Sequence, residues 1–423
     1  MAVLTDEQLS FKLPGMYRVR QSFPRPVLDD IEGRIAQEFL KKDISGRVRP
    51  GARVAVAVGS RGIKNIARIV KTVISQLKCL GAEPFIISAM GSHGGGTPEG
   101  QRAVLTSYGI TEEAMGVPVV TSVDVTHIGR TSRGIEVYFD STALAADLVV
   151  PINRVKLHTA FVGDVQSGLC KMLVIGLGNQ VGCSSVHRAP LEIFAETLIE
   201  AAQMIMARAK VGFGVAVLEN AYDETMMIEA VPAERIIARE KELVDIAKRN
   251  MPSLLIKDID VLIVEEIGKN ISGSGADPNV TGRSFLLKKF MLSVPKIQRM
   301  VLLDVTEESH GNALGIGLFE VITRRVLDKI DLPTMYANAI ASKSPETARI
   351  PITAESDEEA VRFAIQMLRG VDKERLKIVR IKNTLALDVI EVSEALLDQV
   401  KADNGLTLLS LTPLHEMEPV FGK

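Results

Sequence analysis

The stretch Arg53-Val-Ala-Val-Ala-Val-Gly59 is a continuous apolar run that ends at the turn Ser60-Arg-Gly62. Apolar residues then recur at helical spacing, at Ile63, Ile66, Val70, Val73, Ile74 and Leu77. Together they predict a buried strand followed by an amphipathic helix, which we expect to end at Gly81. A strand that is apolar on both faces is typical of a parallel sheet covered by helices.

The same strand–loop–helix order recurs along the chain. Further buried strands are predicted at residues 84–90, 147–152, 211–218, 259–265, 300–304 and 377–381. Helices are expected after Pro98, over 318–330 and after Ser356, and the charged helix 238–250 is a candidate linker. We therefore predict an α/β fold with two domains, residues 1–255 and 256–423, each with a mainly parallel sheet flanked by helices.

Bulk properties narrow the class of protein. The chain has 423 residues, more than one compact core usually holds, and its formal net charge is −2. Such a balanced charge argues against a nucleic-acid or anionic-membrane partner. The N-terminus has no signal-peptide pattern and no apolar segment has membrane-spanning length, which predicts a cytoplasmic protein. The 3 cysteines show no CxxC spacing, so disulfide, iron–sulfur and four-thiolate zinc sites are disfavoured.

Three histidines and one lysine on glycine-rich turns are the main candidates for chemistry: His93, His158, Lys171 and His187. An imidazole can carry protons near neutral pH or bind a metal, and a lysine amine can attach a cofactor. His93 is followed by Gly94, Gly95 and Gly96, whose backbone N–H groups could contact an anion. The quartet predicts an enzyme that uses a cofactor.

The predicted strands place several of these residues at one edge of a sheet. Arg61, His93 and the loop after Ile152 each follow the carboxyl end of a strand, where open parallel sheets bind ligands. In the second domain, the glycine-rich loop 268–283 contains Lys269 and Arg283, two candidates for binding an anionic substrate. The roles of His310 and Asn312 in the equivalent turn stay open, and His127 and His415 have no supporting context.

These motifs resemble the nickel-dependent lactate racemase family of 2-hydroxyacid racemases and epimerases. The resemblance rests on Arg61, on Gly91-Ser92-His93, on His158, on the turn from Gly168 to Lys171, and on His187. The interval of 16 residues from Lys171 to His187 is its most specific point. It implies two α/β domains with the active site in the cleft between them, and a nickel-pincer nucleotide as cofactor.

The resemblance also implies a role for each residue. His187 would bind the nickel, Lys171 and Gly168 would hold the cofactor with Gly94 and Gly95, and Arg61 would bind the substrate carboxylate. His93 and His158 would be the two acid/base residues in a proton-coupled hydride transfer from Cα of a 2-hydroxy acid to the cofactor, followed by its return to the opposite face.

The sequence departs from the family pattern at several positions. Leu169-Cys170 stand where Gly-Arg is typical, and Ser60 stands where an acidic residue is common, so covalent attachment through Lys171 is left open. The chain has no Trp, whereas the lactate-specific enzymes carry one in the active site. Lactate itself is therefore not favoured, and the expected substrate is a lactate-like 2-hydroxy acid or, because Lys269 and Arg283 are cationic, a larger or dicarboxylic one such as malate.

Two other functions stay open at this point. His93, His158 and His187 could form a three-histidine zinc site of a lyase or hydrolase. The same fold could also bind a nucleotide or metabolite without catalysis. The assembly state is open as well, a homo-oligomer included.

Overall fold

The computed structural model describes residues 4, 5, 8, 11–60 and 62–410. Contacts divide the chain into two compact units, Arg25–Met251 and, as far as it is described, Met1–Pro24 with Pro252–Lys423. The expected boundary at residue 255 lies close to this division at Met251, but residues 1–24 were expected in the N-terminal domain.

The strands within the described ranges are named in chain order. They are β1 Met16–Gln21, β2 Arg53–Val58, β3 Glu83–Ser88, β4 Val119–Val120, β5 Val125–Arg130, β6 Glu136–Asp140, β7 Leu148–Arg154, β8 Phe213–Glu219, β9 Thr225–Pro232, β10 Asp258–Ile267, β11 Lys296–Val305, β12 Val321–Thr323, β13 Ile352–Ala354, β14 Ile378–Ile381, β15 Val389–Ser393 and β16 Leu406–Leu408.

The α-helices of the described residues are identified by their ranges. They are Ile31–Leu40, Lys42–Ser45, Ile66–Cys79, Pro98–Ser107, Glu112–Met115, Ser141–Leu144, Leu169–Lys171, Asn179–Val186, Phe194–Arg208, Ile236–Asn250, Pro278–Thr281, Arg324–Lys329, Leu332–Ala341, Asp357–Gln366 and Leu397–Ala402.

The unit Arg25–Met251 contains a sheet in the order β4-β3-β2-β7-β8-β9. Neighbouring strands from β4 to β8 are parallel, and β9 runs antiparallel to β8. The helix Ile66–Cys79 buries the stripe that its spacing predicts, including Val70, Val73 and Ile74. Parallel strands with helices against them confirm the predicted α/β class.

The other unit contains a sheet in the order β13-β12-β11-β10-β14-β15-β1-β16. Neighbours from β13 to β14 are parallel, whereas β15, β1 and β16 add antiparallel pairs. The capping box at Ser356 is present, because the Ser356 hydroxyl accepts the Glu359 N–H at 3.1 Å. This unit is therefore also a mainly parallel sheet flanked by helices.

Strand β1 explains why residues 1–24 group with the C-terminal part of the chain. It lies between β15 and β16, and Val19 on it is fully buried. The buried Gln21 side chain donates to the Leu387 carbonyl at 2.7 Å and accepts the Leu255 N–H at 2.8 Å. Such long-range pairing leaves no local sequence signal, because its partners lie far away along the chain.

Two other segments differ from the prediction. The expected helix 318–330 is shorter, Arg324–Lys329, because Val321–Thr323 pair with β11 and β13 as strand β12. The expected linker helix is a packed element, Ile236–Asn250, that buries Leu243 and Val244. Its apolar residues recur every three to four positions, so one face of the helix is buried although the helix carries many charged residues.

Among the described residues, no single helix has both the length and the apolar composition needed to cross a membrane. One pair, Leu169–Gly176 with Asn179–Val186, meets those criteria only together and is bent by 110°.

Candidate active site

The ends of three adjacent parallel strands form the base of the candidate site. Strand β2 lies between β3 and β7, in matched parallel register. The segments that follow these strands carry Ser60, His93 and His158. The sheet thus brings the predicted segments to one edge, while Arg61 lies outside the described residues.

His93 lies on an exposed loop and is oriented by the neighbouring strand end. Its Nδ1 lies 2.5 Å from the hydroxyl of Ser60. The backbone carbonyl of Ser60 in turn accepts the Tyr108 hydroxyl at 2.7 Å. With Nδ1 engaged, Nε2 is the ring nitrogen suited to exchange a proton with a ligand.

The glycines after His93 have left-handed backbones that other residues rarely adopt. Gly94 and Gly95 have φ values of +65° and +67°. A Cβ on Gly94 would lie 2.6 Å from the Gln101 nitrogen, whereas a Cβ on Gly95 would meet nothing within 4 Å. Gly94 therefore packs against the next helix, and the Gly95 backbone faces open space that a ligand could occupy.

His158 and Lys171 are in direct contact. Lys171 Nζ lies 2.8 Å from His158 Nε2, and His158 Nδ1 accepts the Ala160 N–H at 3.1 Å. The Phe161 ring flanks the imidazole, with centroids 4.3 Å apart. The 13-residue sequence interval therefore closes into one hydrogen-bonded pair.

A wide helical turn fixes the backbone after Lys171. The segment Met172–Gly176 is π-helical, and the Leu177 N–H donates to the Met172 carbonyl at 2.9 Å. Its side chains are buried. Turns of this type are rare and occur frequently at functional sites.

Glu240 is a residue of this site that the sequence analysis did not identify. Its carboxylate accepts the Cys170 N–H at 2.9 Å, one residue before Lys171, although the side chain is fully buried. A Cβ on Gly168 would lie only 2.5 Å from the Glu240 carboxyl carbon. Burial raises the pKa of Glu240 to about 7, although hydrogen bonds from the Cys170 and Leu169 N–H groups oppose the shift. Its position in a charged helix gave no sign of this burial.

His187 follows the helix Asn179–Val186, and its tautomer is set by that helix. His187 Nδ1 lies 2.7 Å from the Cys183 carbonyl oxygen, which can only accept a hydrogen bond. Nδ1 therefore carries the proton, and Nε2 keeps the lone pair that a metal requires. Burial opposes protonation of His187, but hydrogen bonding to Cys183 outweighs it and raises the His187 pKa.

Aromatic rings and one cysteine connect the members of the quartet. Phe161, beside His158, packs 4.8 Å from Phe194, whose centroid lies 5.3 Å from the His187 ring. On the other side, Cys183 Sγ lies 3.8 Å from the hydroxyl of Ser92, the neighbour of His93. All four predicted residues thus belong to one contiguous cluster in the unit Arg25–Met251.

The donor chemistry fits a ligand that brings its own metal donors. No group of three or more His, Cys, Asp or Glu within the described ranges is arranged to hold a metal ion. His93 and His158 contact Ser60 and Lys171, so the three-histidine zinc alternative has no support in this geometry. His187 instead offers one imidazole donor, as the nickel-pincer nucleotide would require.

The remaining predicted residues lie in the other unit or outside the cluster. Lys269 Nζ donates to the Gly273 carbonyl at 2.6 Å. The Arg283 guanidinium pairs with Glu320 at 2.5 Å and donates to the Gln298 carbonyl at 2.8 Å. Both side chains brace their own unit here, and their substrate contacts stay a prediction.

The structure describes two of the three remaining histidines, His127 and His310. His127 pairs with Glu136 at 2.6 Å on the β5–β6 hairpin. His310 has a left-handed backbone, with φ of +47°, at the end of a short turn. His415 lies outside the described residues.

Comparison with known proteins gives a family model that spans the residues of this site. Residues 24–197 match the model of the lactate racemase N-terminal domain, a stretch that contains His93, His158, Lys171 and His187. The matched stretch covers 174 of the 423 residues, so this part of the α/β chain is similar to the N-terminal domain of lactate racemases.

The fold is similar to a solved structure as well. The lactate racemase apoprotein from Thermoanaerobacterium thermosaccharolyticum aligns with a TM-score of 0.55 and 14% sequence identity, covering 91% of this chain and 96% of that one. No curated protein matches the sequence. The structural likeness supports a shared fold. A sequence identity of 14% is too low to indicate the substrate of this chain.

Proposed function

We propose that this protein is a racemase or epimerase of 2-hydroxy acids that uses a nickel-pincer nucleotide. One observation carries the proposal: His93, His158, Lys171 and His187 form one cluster inside the segment that matches the lactate racemase N-terminal domain. A cytoplasmic location remains part of this proposal.

The chain has residues suited to hold the cofactor. His187 would bind nickel through Nε2, and Lys171 would contact or attach the nucleotide. Of the three glycines expected to hold it, Gly95 would let the nucleotide approach the backbone, whereas Gly94 packs against the next helix and Gly168 makes room for Glu240. When bound, the cofactor would supply an acceptor and donor of hydride, chemistry that no amino-acid side chain provides.

His93 and His158 would carry protons to and from the substrate hydroxyl. A racemase needs one such group for each face, because each must act as base in one direction and as acid in the other. His93 has its Nδ1 partner in Ser60. His158 could serve once Lys171 no longer occupies its Nε2.

Cationic side chains would bind the carboxylate of the substrate. Arg61 is the first candidate, because its planar guanidinium matches a carboxylate with two hydrogen bonds. Lys269 and Arg283 are proposed for a larger or dicarboxylic substrate, such as malate. For Arg283 this would require exchange of its present partner, Glu320.

The decisive experiment is native mass spectrometry of the chain made in a host that produces the cofactor. We expect the mass of a nickel-containing nucleotide, and racemisation of a 2-hydroxy acid measured by chiral chromatography. Zinc alone would instead favour the lyase or hydrolase alternative, and a nucleotide without metal or turnover would favour a binding protein.

A first prediction concerns the proton carriers. His93→Ala and His158→Ala should each lower kcat by roughly 10²–10⁴-fold, the usual contribution of a general acid–base group, while the fold persists. His127→Ala, on the β5–β6 hairpin of the same unit, is the control and should keep full activity. Near-normal turnover in either active-site variant would rule out the two-base mechanism.

A further inference from the structure

The rings of two quartet histidines belong to one row of four packed aromatic rings. His158 lies against Phe161 with ring centroids 4.3 Å apart, and Phe161 lies 4.8 Å from Phe194. Phe194 in turn lies 5.3 Å from the His187 ring. Spacings of this size are typical of attractive contacts between aromatic side chains. Phe194 therefore contacts His187 directly and His158 through one intermediate ring.

Phe194 is the most firmly packed part of this row. It is 2% exposed and is the first residue of the helix Phe194–Arg208, whereas both histidines are more exposed. The helix packs against the turn that carries Lys171 and against the π-helical segment after it. A buried ring on a packed helix has few neighbouring voids into which it could rotate. Phe194 can therefore act as a fixed reference for both imidazoles.

A second contact joins the first turn of this helix to the loop of His158. A Cβ on Gly163 would lie 2.1 Å from the Ala195 Cβ, so the loop reaches the helix only because residue 163 has no side chain. In the same loop, the Gln166 side chain accepts the His158 N–H at 2.7 Å and donates to the Gly163 carbonyl at 3.3 Å. The helix thus fixes His158 through its backbone as well as through Phe161.

The contact with Phe194 completes the orientation of His187. The hydrogen bond between His187 Nδ1 and the Cys183 carbonyl sets the tautomer, but one hydrogen bond leaves the ring plane free to tilt. The Phe194 ring, inclined by 54° to the imidazole, restricts that tilt. Contacts of this kind, behind a ligand, aim its donor atom. The direction of the His187 Nε2 lone pair therefore depends on Phe194.

We propose that Phe194 is a positioning residue that fixes the imidazoles of His158 and His187 relative to each other. In the racemase proposed above these are a proton carrier and the nickel ligand, so the kinetic consequence rests on the proposed function. A misplacement on the order of 1 Å can cost roughly 10²-fold in rate. The positioning itself needs neither cofactor nor substrate.

The first test is NMR of the full-length, cofactor-free protein with isotope label only in histidine, which gives a sparse spectrum because the chain has 6 histidines. Phe194→Leu keeps a buried apolar side chain and removes the ring. The His187 signals should move, as loss of any neighbouring ring would cause. The deciding signals are those of His158, which reaches Phe194 only through Phe161. They should shift or broaden because Phe161 gains freedom.

Phe213→Leu is the matched control. Phe213 is also fully buried in the unit Arg25–Met251, but it packs 5.4 Å from Phe39, so its loss should leave the signals of both histidines unchanged. His158 signals identical to wild type in folded Phe194→Leu would overturn the proposal. If that variant does not fold, Phe161→Leu decides: it should move the His187 signals, and unchanged His187 signals would overturn the proposal.

The second test is kinetic and uses the loaded enzyme. Phe194→Leu should lower kcat by roughly 10- to 100-fold with KM nearly unchanged, because misplaced groups act on the transition state more than on binding. Phe161→Leu should have a similar effect. The double variant should lose little more than the worse single one, since both rings act along the same row. Fully multiplicative losses would contradict a shared role.

The two tests separate this inference from the proposed function. A response of His158 to Phe194→Leu in a protein that binds no nickel nucleotide and racemises nothing would reject the function and keep the positioning role. An active enzyme in which Phe194→Leu leaves both the His158 signals and kcat unchanged would do the reverse.

Discussion

The three histidines of the quartet have the same side chain but different hydrogen-bond partners, and these partners suit them to different roles. His93 contacts a hydroxyl, His158 contacts an amine and a backbone N–H, and His187 contacts a carbonyl. A carbonyl fixes one tautomer, whereas a hydroxyl can donate or accept and therefore stays with His93 in either protonation state. Only the carbonyl leaves a defined lone pair for a metal, and this suits His187 to the role of nickel ligand that the family resemblance implies.

The Ser60 hydroxyl should matter for proton transfer. Ser60→Ala removes the Nδ1 partner of His93, so we expect kcat to fall roughly tenfold, a small part of the full contribution of a general base. The pH dependence of kcat should shift as well, because the partner of the imidazole has changed. Ser60→Thr keeps a hydroxyl and is the control, and an unchanged pH profile for Ser60→Ala would contradict this role.

Nickel retention should depend on the imidazole of His187 and not on the thiol beside it. His187→Ala removes the only proposed protein ligand, so elemental analysis of the loaded protein should show nickel lost or strongly reduced. Cys183→Ser keeps the backbone carbonyl that orients His187 and should retain nickel. Full retention in His187→Ala would remove His187 from the ligand set.

At the scale of elements, the helix Ile236–Asn250 supports the short turn that carries Lys171. Its Glu240 carboxylate accepts the Cys170 N–H, and the missing side chain of Gly168 gives the carboxylate room. Burial favours the neutral form of the Glu240 carboxyl group, whereas the Cys170 and Leu169 N–H groups stabilise its ionised form. The turn therefore depends on a residue about seventy positions away in the sequence.

The raised pKa of Glu240 predicts a pH-dependent cost to stability. Between pH 4.5 and pH 7 the folded state binds more protons than the unfolded state, so this group's contribution falls as pH rises. The full loss above pH 7 is of order 3 kcal/mol. Glu240→Gln cannot ionise, so urea unfolding should show its stability rising relative to wild type from pH 5 to pH 8. A pH-independent difference would contradict the shift.

Gly168 should tolerate no side chain. Gly168→Ala places a Cβ within 2.5 Å of the Glu240 carboxyl carbon, and because both groups are buried we expect a loss of about 1–3 kcal/mol in unfolding free energy. Gly62→Ala, where a Cβ would meet nothing within 4 Å, is the control and should change stability little. Equal stabilities of the two variants would argue against close packing at Gly168.

Local patterns predict most elements of the fold, because each predicted strand and helix carries its own periodicity. They also predict that the loops after β2, β3 and β7 lie at one edge of the sheet, since that follows from parallel strand order. They could not predict Glu240, β1 or β12, whose roles depend on partners far along the chain. The Lys171–His158 contact was equally hidden, because it forms only when the intervening loop closes.

At the scale of the whole molecule, one of the two units is continuous in sequence and the other is built from two separate segments. The unit Arg25–Met251 is one continuous segment, and it holds the entire quartet. The other unit needs β1 from residues 16–21 between β15 and β16. Without it, both of those strands would have unpaired edges.

This difference predicts how fragments behave. Residues 25–251 expressed alone should unfold cooperatively, because their core and sheet are complete. Residues 252–423 alone should fold poorly or aggregate, and a peptide of residues 1–24 added to them should restore structure measured by circular dichroism. Equal cooperativity of 252–423 with and without the peptide would contradict a required β1.

The pairing of Met16 with Ser393 also sets an order of events during synthesis. Ribosomes add about 5–20 residues per second, so β1 leaves the ribosome roughly 20–75 s before its partner strand is made. The quartet-bearing segment can fold within that interval, while β1 waits unpaired. Molecular chaperones that hold exposed strands would therefore contact β1 during this interval, and synthesis must pass β15 and β16 before the second sheet can be completed.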